Sequence, residues 1–479
     1  MISQSSWHDD WAGLQVAVLG LGKSGFSVAD TLVELGAKVT VYAAKASDEY
    51  RDLLDVIGAE LVLSDDPASL AETVSDLDFA VVSPGFAPSH QMVELLTQNR
   101  VQLFTDIDLA WRLRDKTQKV AKWITVTGTN GKTTTTELTA HILSEAGFRV
   151  SACGNIGNPI LDAIRDPEGF DFLVVELSSF QLHYLETISA EASAFLNFAP
   201  DHIDWHGSEQ AYFQAKAKIY ESTKLAIVYN EQDRKTLEAA EQADVVEGCR
   251  AVAFTIAMPR VSMVGYVEEF LVDRAFVANR QDSAQEIASD SDLESIGVLS
   301  NHLKANVAAA TALTRALGVE PLVIRNAIRS FQLSPHRIQL VLQHADVTYV
   351  DDSKATNAHA AAASLASFDS IVWIVGGLLK GIDPEPLVRD YGEKLRAAVV
   401  IGRDTQVLEE LFARLLPNLE LQVISGGDVM AKAVAAAHSF AKAGDTVLLA
   451  PAAASMDQFQ DYADRGNQFQ QQVKMQVIR

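Results

Sequence analysis

The chain has 479 residues, a formal net charge of −24, and 48% hydrophobic against 21% charged residues. That length suggests roughly two to four domains with sizeable cores, and the acidity argues against general binding to nucleic acid or anionic membranes, so an anionic substrate would need local basic residues. Cys153 and Cys249 show no paired spacing, which speaks against a disulfide framework or a zinc site. With a polar start, MISQSSWHDDW, and no apolar run of membrane-spanning length, the expected setting is a reducing cytoplasm, without membrane insertion.

Leu14–Leu19 reads as a buried strand, followed by Gly20-Leu21-Gly22-Lys23-Ser24-Gly25, a helical run from Phe26 to Leu35, and a second strand, Lys38–Tyr42. This is a βαβ unit with a G-x-G-x-x-G turn suited to a diphosphate. A nicotinamide cofactor would call for an acid at the end of the second strand. The chain has Tyr42-Ala43-Ala44-Lys45 there, which lowers the dehydrogenase reading. A further strand, Phe79–Val82, runs into Ser83-Pro84-Gly85, at the kind of strand end where open α/β sheets bind ligands. Arg114 to Lys119 is charged and linker-like.

Trp123-Ile124-Thr125-Val126-Thr127 then enters Gly128-Thr129-Asn130-Gly131-Lys132-Thr133-Thr134, and a helical run from Glu137 to Ala146 leaves it. Strand, glycine loop and helix in this order form a phosphate-binding loop, whose backbone N–H groups and helix N-terminus face one anion. Lys132 adds a mobile positive charge, and the Thr133 hydroxyl is placed to ligate Mg²⁺. Val126 stands where the eight-residue form has glycine, so the loop is a shortened version. Downstream, Asp171–Glu176 is a strand ending in an acid, which in phosphate-loop enzymes holds Mg²⁺. Asn197 to His206 gathers two histidines and two aspartates, a metal ligand set or a polar loop. Tyr212–Tyr220 reads as helix, with Lys216 a surface lysine by spacing alone. Residues 267–296 read as a loop or hairpin insert, and Asn301 opens an alanine-rich helix to about Leu317. After a helix at Pro321–Phe331, Pro335-His336-Arg337 marks a boundary. Strand signals at Val347–Asp351, Ile371–Val375, Ala398–Ile401 and Thr446–Ala450 then predict a parallel sheet with crossover helices, and residues 358–366 predict a plain helix.

The series GTNGKTT, GNIGNP, ELSSFQL, DHIDWHG with YFQAK, NHLKAN, PHR, DDSKATN and APAAASMDQF resembles the Mur ligase family over about residues 14–470. ELSSFQL and DSKATN resemble its D-glutamate-adding branch rather than the branches that add other amino acids. The resemblance implies an α/β fold of three domains: a Rossmann-like UDP-substrate domain (1–118), a central phosphate-loop ATPase domain (119–333) and a Rossmann-like amino-acid domain (334–479). It implies ATP-dependent amide formation between UDP-N-acetylmuramoyl-L-alanine and D-glutamate through an acyl phosphate, with two Mg²⁺ ions, in a cytoplasmic monomer making peptidoglycan precursor.

Carried onto this chain, the resemblance gives catalytic roles to Lys132, His202 and Lys216. It places ATP on Gly128, Thr129, Asn130, Gly131, Lys132, Thr133, Thr134, Asn306, Arg337 and Asp352, and metal on Thr133, Glu176, His202 and a carbamylated Lys216. The UDP-substrate falls to Gly22, Lys23, Ser24, Lys45, Ser83 and Asn155, and D-glutamate to Lys354, Thr356, Lys380, Ser455, Met456 and Tyr462. Ala43-Ala44-Lys45 departs from the Asp-Thr-Arg that members often carry; Lys45 supplies the charge of the arginine but not its bidentate fork. The base that takes the ammonium proton of D-glutamate stays open, since His202, the nearest candidate, would be a poor base when metal-bound. A nucleotide-binding switch protein on the same loop is the competing class. It would need neither three sheets with polar strand ends nor the pairing of His202 with Lys216.

Overall fold

The computed structural model describes residues 4–186, 188–379 and 383–478. Among the described residues the strands form three sheets. The first has five parallel strands in the spatial order Glu60–Val62, Lys38–Tyr42, Gln15–Leu19, Phe79–Val82 and Gln102–Phe104. The chain turns from one side of this sheet to the other between Gln15–Leu19 and Phe79–Val82, so the carboxyl ends of these two strands flank a crevice. The central strands Gln15–Leu19 and Phe79–Val82 read as nearly continuous apolar runs because the middle of a parallel sheet is covered on both faces. The helix predicted from Phe26 begins earlier, at Lys23, and ends at Glu34.

The central sheet has nine strands: Gln285–Ser289, Phe270–Asp273, Met263–Val267, Arg250–Phe254, Ala226–Asn230, Ala192–Phe195, Lys122–Thr127, Phe172–Glu176 and Val150–Gly154. The first three are joined by antiparallel pairings, and every other neighbouring pair is parallel. The stretch read as a loop or hairpin insert is therefore a hairpin with a third strand, and it extends the sheet. Its polar, acidic sequence hid the last strand because an edge strand needs few apolar residues.

The first and central sheets share one hydrophobic core, from Val16, Val18 and Phe79 through Phe104 and Ile107 to Trp123, Leu173 and Phe195. They fall in one compact unit, residues 1–289 with 305–328. Polar ties run through the same unit. Arg165 pairs with Asp30 at 2.6 Å and Glu34 at 3.0 Å, and Glu186 N–H donates to Asp108 at 2.9 Å.

The other unit, residues 290–304 with 329–479, holds the third sheet. Its order is Gln339–His344, Val347–Asp351, Thr446–Leu449, Ile371–Gly376, Leu395–Ile401 and Glu420–Val423, parallel except for the first pair. Sequence reading missed Gln339–His344. It forms a hairpin with Val347–Asp351 through Ala345 and Asp346, both at positive φ (51° and 61°), where no Asn-Gly signal announces the turn. The predicted helix at Ala358–Ala366 is present, capped by the Asn357 side chain accepting from Ala360 N–H at 2.8 Å. No described helix is long and apolar enough to cross a membrane.

Candidate active site

Three neighbouring parallel strands of the central sheet, Phe172–Glu176, Lys122–Thr127 and Ala192–Phe195, end side by side. Their carboxyl ends deliver Glu176, the loop Gly128–Gly131 and Asn197. The loop feeds the helix Lys132–Glu145 through Gly131, which has φ 81°. An added Cβ at Gly131 would also run into Asn306 Oδ1, so any other residue here would be both strained and crowded. The first amides of that helix have no intrahelical acceptor and point towards the same place.

Lys132 donates from Nζ to the carbonyls of Gly128 at 2.8 Å and Thr129 at 3.0 Å, so its charge lies over the loop. Thr133 Oγ1 donates to Glu176 Oε2 at 2.8 Å, and Asn155 Nδ2 donates to Glu176 Oε1 at 2.8 Å. Glu176 is 1% exposed. A hydroxyl and a carboxylate so paired suit Mg²⁺, which typically takes one or two carboxylates and completes its shell with water and phosphate oxygens. Among the described residues no group of three or more His, Cys, Asp and Glu side chains converges to hold a metal unaided. Asn155, read on the UDP-substrate side, thus sits against the acid at the foot of the loop.

Lys216 corrects the surface-lysine expectation: it is 2% exposed. It lies on the helix Glu209–Ala217, and its Nζ donates to Gly128 O at 2.9 Å and sits 5.0 Å from the Tyr212 ring centroid. Burial, with Lys132 nearby, pushes its pKa well below the ordinary lysine value. Burial of this kind favours the uncharged amine over the ammonium. His202 has φ 52° and leads the short helix Ile203–His206. Its Nε2 lies 3.6 Å from Asp201 Oδ2, and burial lowers its pKa against the opposing pull of Asp201. Its ring lies 4.8 Å from that of Phe180 and 6.4 Å from that of Tyr212, centroid to centroid.

In the first sheet, Gly22 caps and Lys23 and Ser24 open the helix Lys23–Glu34. Ser83 N–H donates to Leu19 O at 3.0 Å, which holds the two turns of the crevice together. Lys45 is exposed beyond the Lys38–Tyr42 strand.

In the second compact unit, Asp352 is buried at the end of Val347–Asp351. Its carboxylate accepts from Ile338 N–H at 3.2 Å and from the Ser364 hydroxyl. Burial raises its pKa to about 6. Arg337 lies between two residues in the left-handed region, His336 (φ 67°) and Ile338 (φ 44°). A buried His336–Asp351 pair at 2.6 Å holds that turn. Lys354 Nζ lies 3.8 Å from the Tyr462 ring centroid, Thr356 N–H donates to Lys354 O at 2.8 Å, and Ser455 is buried while Met456 is 62% exposed. Reciprocal backbone bonds between Leu378 and Ala454 bring the loops after Ile371–Gly376 and Thr446–Leu449 together. Lys380 lies outside the described residues.

Two residues of this architecture escaped the sequence reading. Asn197 grips the phosphate loop: its carboxamide bonds both N–H and C=O of Asn130, at 2.9 and 3.0 Å. Arg465 looks like a surface residue in the polar helix Tyr462–Val477, yet it is fully buried. It donates to Ser353 Oγ at 3.0 Å, Ser353 O at 2.8 Å and Ala453 O at 3.1 Å, which joins the two loops of the predicted amino-acid site. Neither an asparagine just past a strand nor an arginine in a polar helix carries a local signal for such a role.

Residues 126–314 match the Mur ligase middle domain, and residues 336–453 match the Mur ligase glutamate ligase domain. The chain is 51% identical to a UDP-N-acetylmuramoylalanine–D-glutamate ligase of Leifsonia xyli, over 98% of this chain and 94% of that one. Ligases of the same name from Tropheryma whipplei and Streptomyces avermitilis are 44% and 45% identical, over 99% and 97% of this chain and 98% and 99% of theirs. Among solved structures, a UDP-N-acetylmuramate–alanine ligase of Thermotoga maritima superposes with a TM-score of 0.57 at 15% identity, covering 96% of this chain and 99% of that one. A MurF ligase of the same organism, in complex with ADP, gives 0.53 at 17% identity, covering 97% and 96%. These two likenesses concern the fold.

Proposed function

Because the chain belongs to the Mur ligase family, we propose that it joins D-glutamate to UDP-N-acetylmuramoyl-L-alanine with cleavage of ATP, a cytoplasmic step of peptidoglycan precursor synthesis carried out by a monomer. The observation that carries this reading is the hydrogen bond of Thr133 to Glu176 at the foot of a lysine-bearing glycine loop. Such a hydroxyl–carboxylate pair suits the Mg²⁺ of a bound nucleoside triphosphate, which supports phosphoryl transfer.

The substrate carboxylate attacks the γ-phosphoryl group, giving an acyl phosphate and ADP. The amine of D-glutamate then attacks the acyl carbon and inorganic phosphate leaves. Every group in the first step is anionic, so the protein's work is placement and charge neutralisation. On this reading Gly128 to Thr134 cradle the ATP phosphates, with Lys132 moving from the loop carbonyls onto the outer phosphates. Thr133 and Glu176 hold one Mg²⁺, and His202 and a Lys216 carbamate hold a second; these ions supply neutralising charge. Asn306 packs the loop from the other side, Arg337 and Asp352 take the rest of the nucleotide, and Asp352 serves the ribose. Gly22, Lys23, Ser24, Lys45, Ser83 and Asn155 serve the UDP-substrate. Lys354, Thr356, Lys380, Ser455, Met456 and Tyr462 serve D-glutamate. The three sheets correspond to domains at 1–118, 119–333 and 334–479.

The test is phosphate release from MgATP with UDP-N-acetylmuramoyl-L-alanine and each amino acid in turn. Release is expected only with D-glutamate, and Lys132→Ala is expected to slow it about 10²–10³-fold. Release driven by another amino acid would move the protein within its family, and release indifferent to both co-substrates would remove the ligase reading.

A further inference from the structure

The phosphate loop has to leave its sheet, yet it must keep one shape for its amides to converge. The parallel ladder between Lys122–Thr127 and Ala192–Phe195 runs on past both strands, with Leu196 N–H donating to Thr127 O at 2.9 Å and Thr129 N–H donating to Asn197 O at 3.0 Å. At Asn130 the loop turns away and backbone can no longer follow it. There the Asn197 side chain takes over: Oδ1 accepts from Asn130 N–H at 2.9 Å, and Nδ2 donates to Asn130 O at 3.0 Å. A carboxamide has the same donor and acceptor as a peptide group, so it prolongs the ladder by one rung. Asn197 thereby binds Thr129 through its backbone and Asn130 through both ends of its side chain, and it commits the Asn130 N–H to the protein. Gly128 leans on the same segment, since an added Cβ would lie 3.0 Å from Leu196 Cβ and 3.4 Å from Asn197 N.

We propose that Asn197 is a positioning residue for the phosphate loop, which fixes the loop amides that meet the nucleotide by pairing its carboxamide with the Asn130 peptide. The inference rests on the phosphate-loop reading above. Asn197 touches neither reacting atom, and its effect reaches the reaction through the aim of the loop alone. An aspartate of the same shape keeps an acceptor for the Asn130 N–H but sets a carboxylate oxygen against the Asn130 carbonyl. Alanine removes both bonds.

The experiment compares full-length wild type, Asn197→Ala, Asn197→Asp and Lys132→Ala. It measures MgADP binding by calorimetry, the KM for each of the three substrates, and hydrogen exchange of the 124–136 peptide. We expect Asn197→Ala and Asn197→Asp to weaken MgADP and raise the KM for ATP about tenfold or more. The KM for D-glutamate and for the UDP-substrate should stay within about twofold, and the loop peptide should exchange faster. Equal losses on all three substrates, or unchanged nucleotide binding in both variants while Lys132→Ala loses it, would overturn the proposal and leave the phosphate-loop reading intact. Wild type that does not bind MgADP would overturn that reading, and the proposal with it. If Asn197→Ala fails to fold, Asn197→Asp decides by the same measurements.

Discussion

At the scale of single residues, the site's chemistry turns on charges placed where water cannot screen them. Lys216 is the clearest instance. An ammonium buried beside Lys132 is penalised twice, by lost solvation and by like charge, and both push its pKa down. On the proposed reading the uncharged amine would add to CO₂, forming an N–C bond and releasing a proton, and the carbamate would be an anionic metal ligand. Removing CO₂ and bicarbonate from the buffer is therefore expected to slow phosphate release, with bicarbonate restoring it. Lys216→Arg, whose guanidinium stays charged, should be slow and indifferent to bicarbonate; an unaltered wild-type rate in stripped buffer would count against carbamylation. The sequence made Lys132 and Thr133 legible because the glycine loop advertises them. It misjudged Lys216, because burial of one helix face is decided by what packs on it.

At the scale of elements, the helix Asp106–Leu113 of the first sheet meets the helix Ser179–Tyr184 that follows Glu176. Each begins with a capping box, Thr105 with Asp108 and Ser178 with Gln181, worth about 1 kcal/mol apiece. Gln181 also donates from Nε2 to Asp106 at 3.2 Å, so its side-chain amide is held from both ends. Burial raises the Asp106 pKa to about 6, from an ordinary 3.8. A raised carboxylate pKa means that the folded chain holds a proton the unfolded chain has already released in that interval. Its contribution to stability is thus full below about pH 4 and lost as pH rises through about 6. Across this window the unfolding free energy of wild type should fall relative to Asp106→Asn, by at most ~3 kcal/mol. Denaturant titrations at pH 4, 5, 6 and 7 read the slope directly, and parallel slopes would show that Asp106 ionises normally.

For the whole molecule, the formal net charge of −24 opposes substrates that are themselves polyanions. The repulsion acts over a Debye length, about 30 Å at 0.01 M and about 8 Å at 0.15 M salt. Raising potassium chloride across that range at fixed free Mg²⁺ is expected to increase kcat/KM for ATP and for the UDP-substrate severalfold, through association. Zwitterionic D-glutamate carries one net negative charge and should respond less. A uniform decrease with salt would mean that local basic residues dominate the approach.

The sequence by itself determined the glycine loop, the apolar strands and the order of the three sheets' main elements. Each of these is set by short-range patterning: continuous apolar runs for covered parallel strands, and glycine where a positive φ is required. Only the tertiary structure decided that Lys216 is buried, that Asn197 completes a ladder with its side chain, and that Arg465 ties two loops in the core. It also decided that Gln339–His344 closes a hairpin over Ala345 and Asp346, and that the first two sheets share one core. These outcomes depend on what long-range folding brings opposite a residue. Local sequence does not encode the partner.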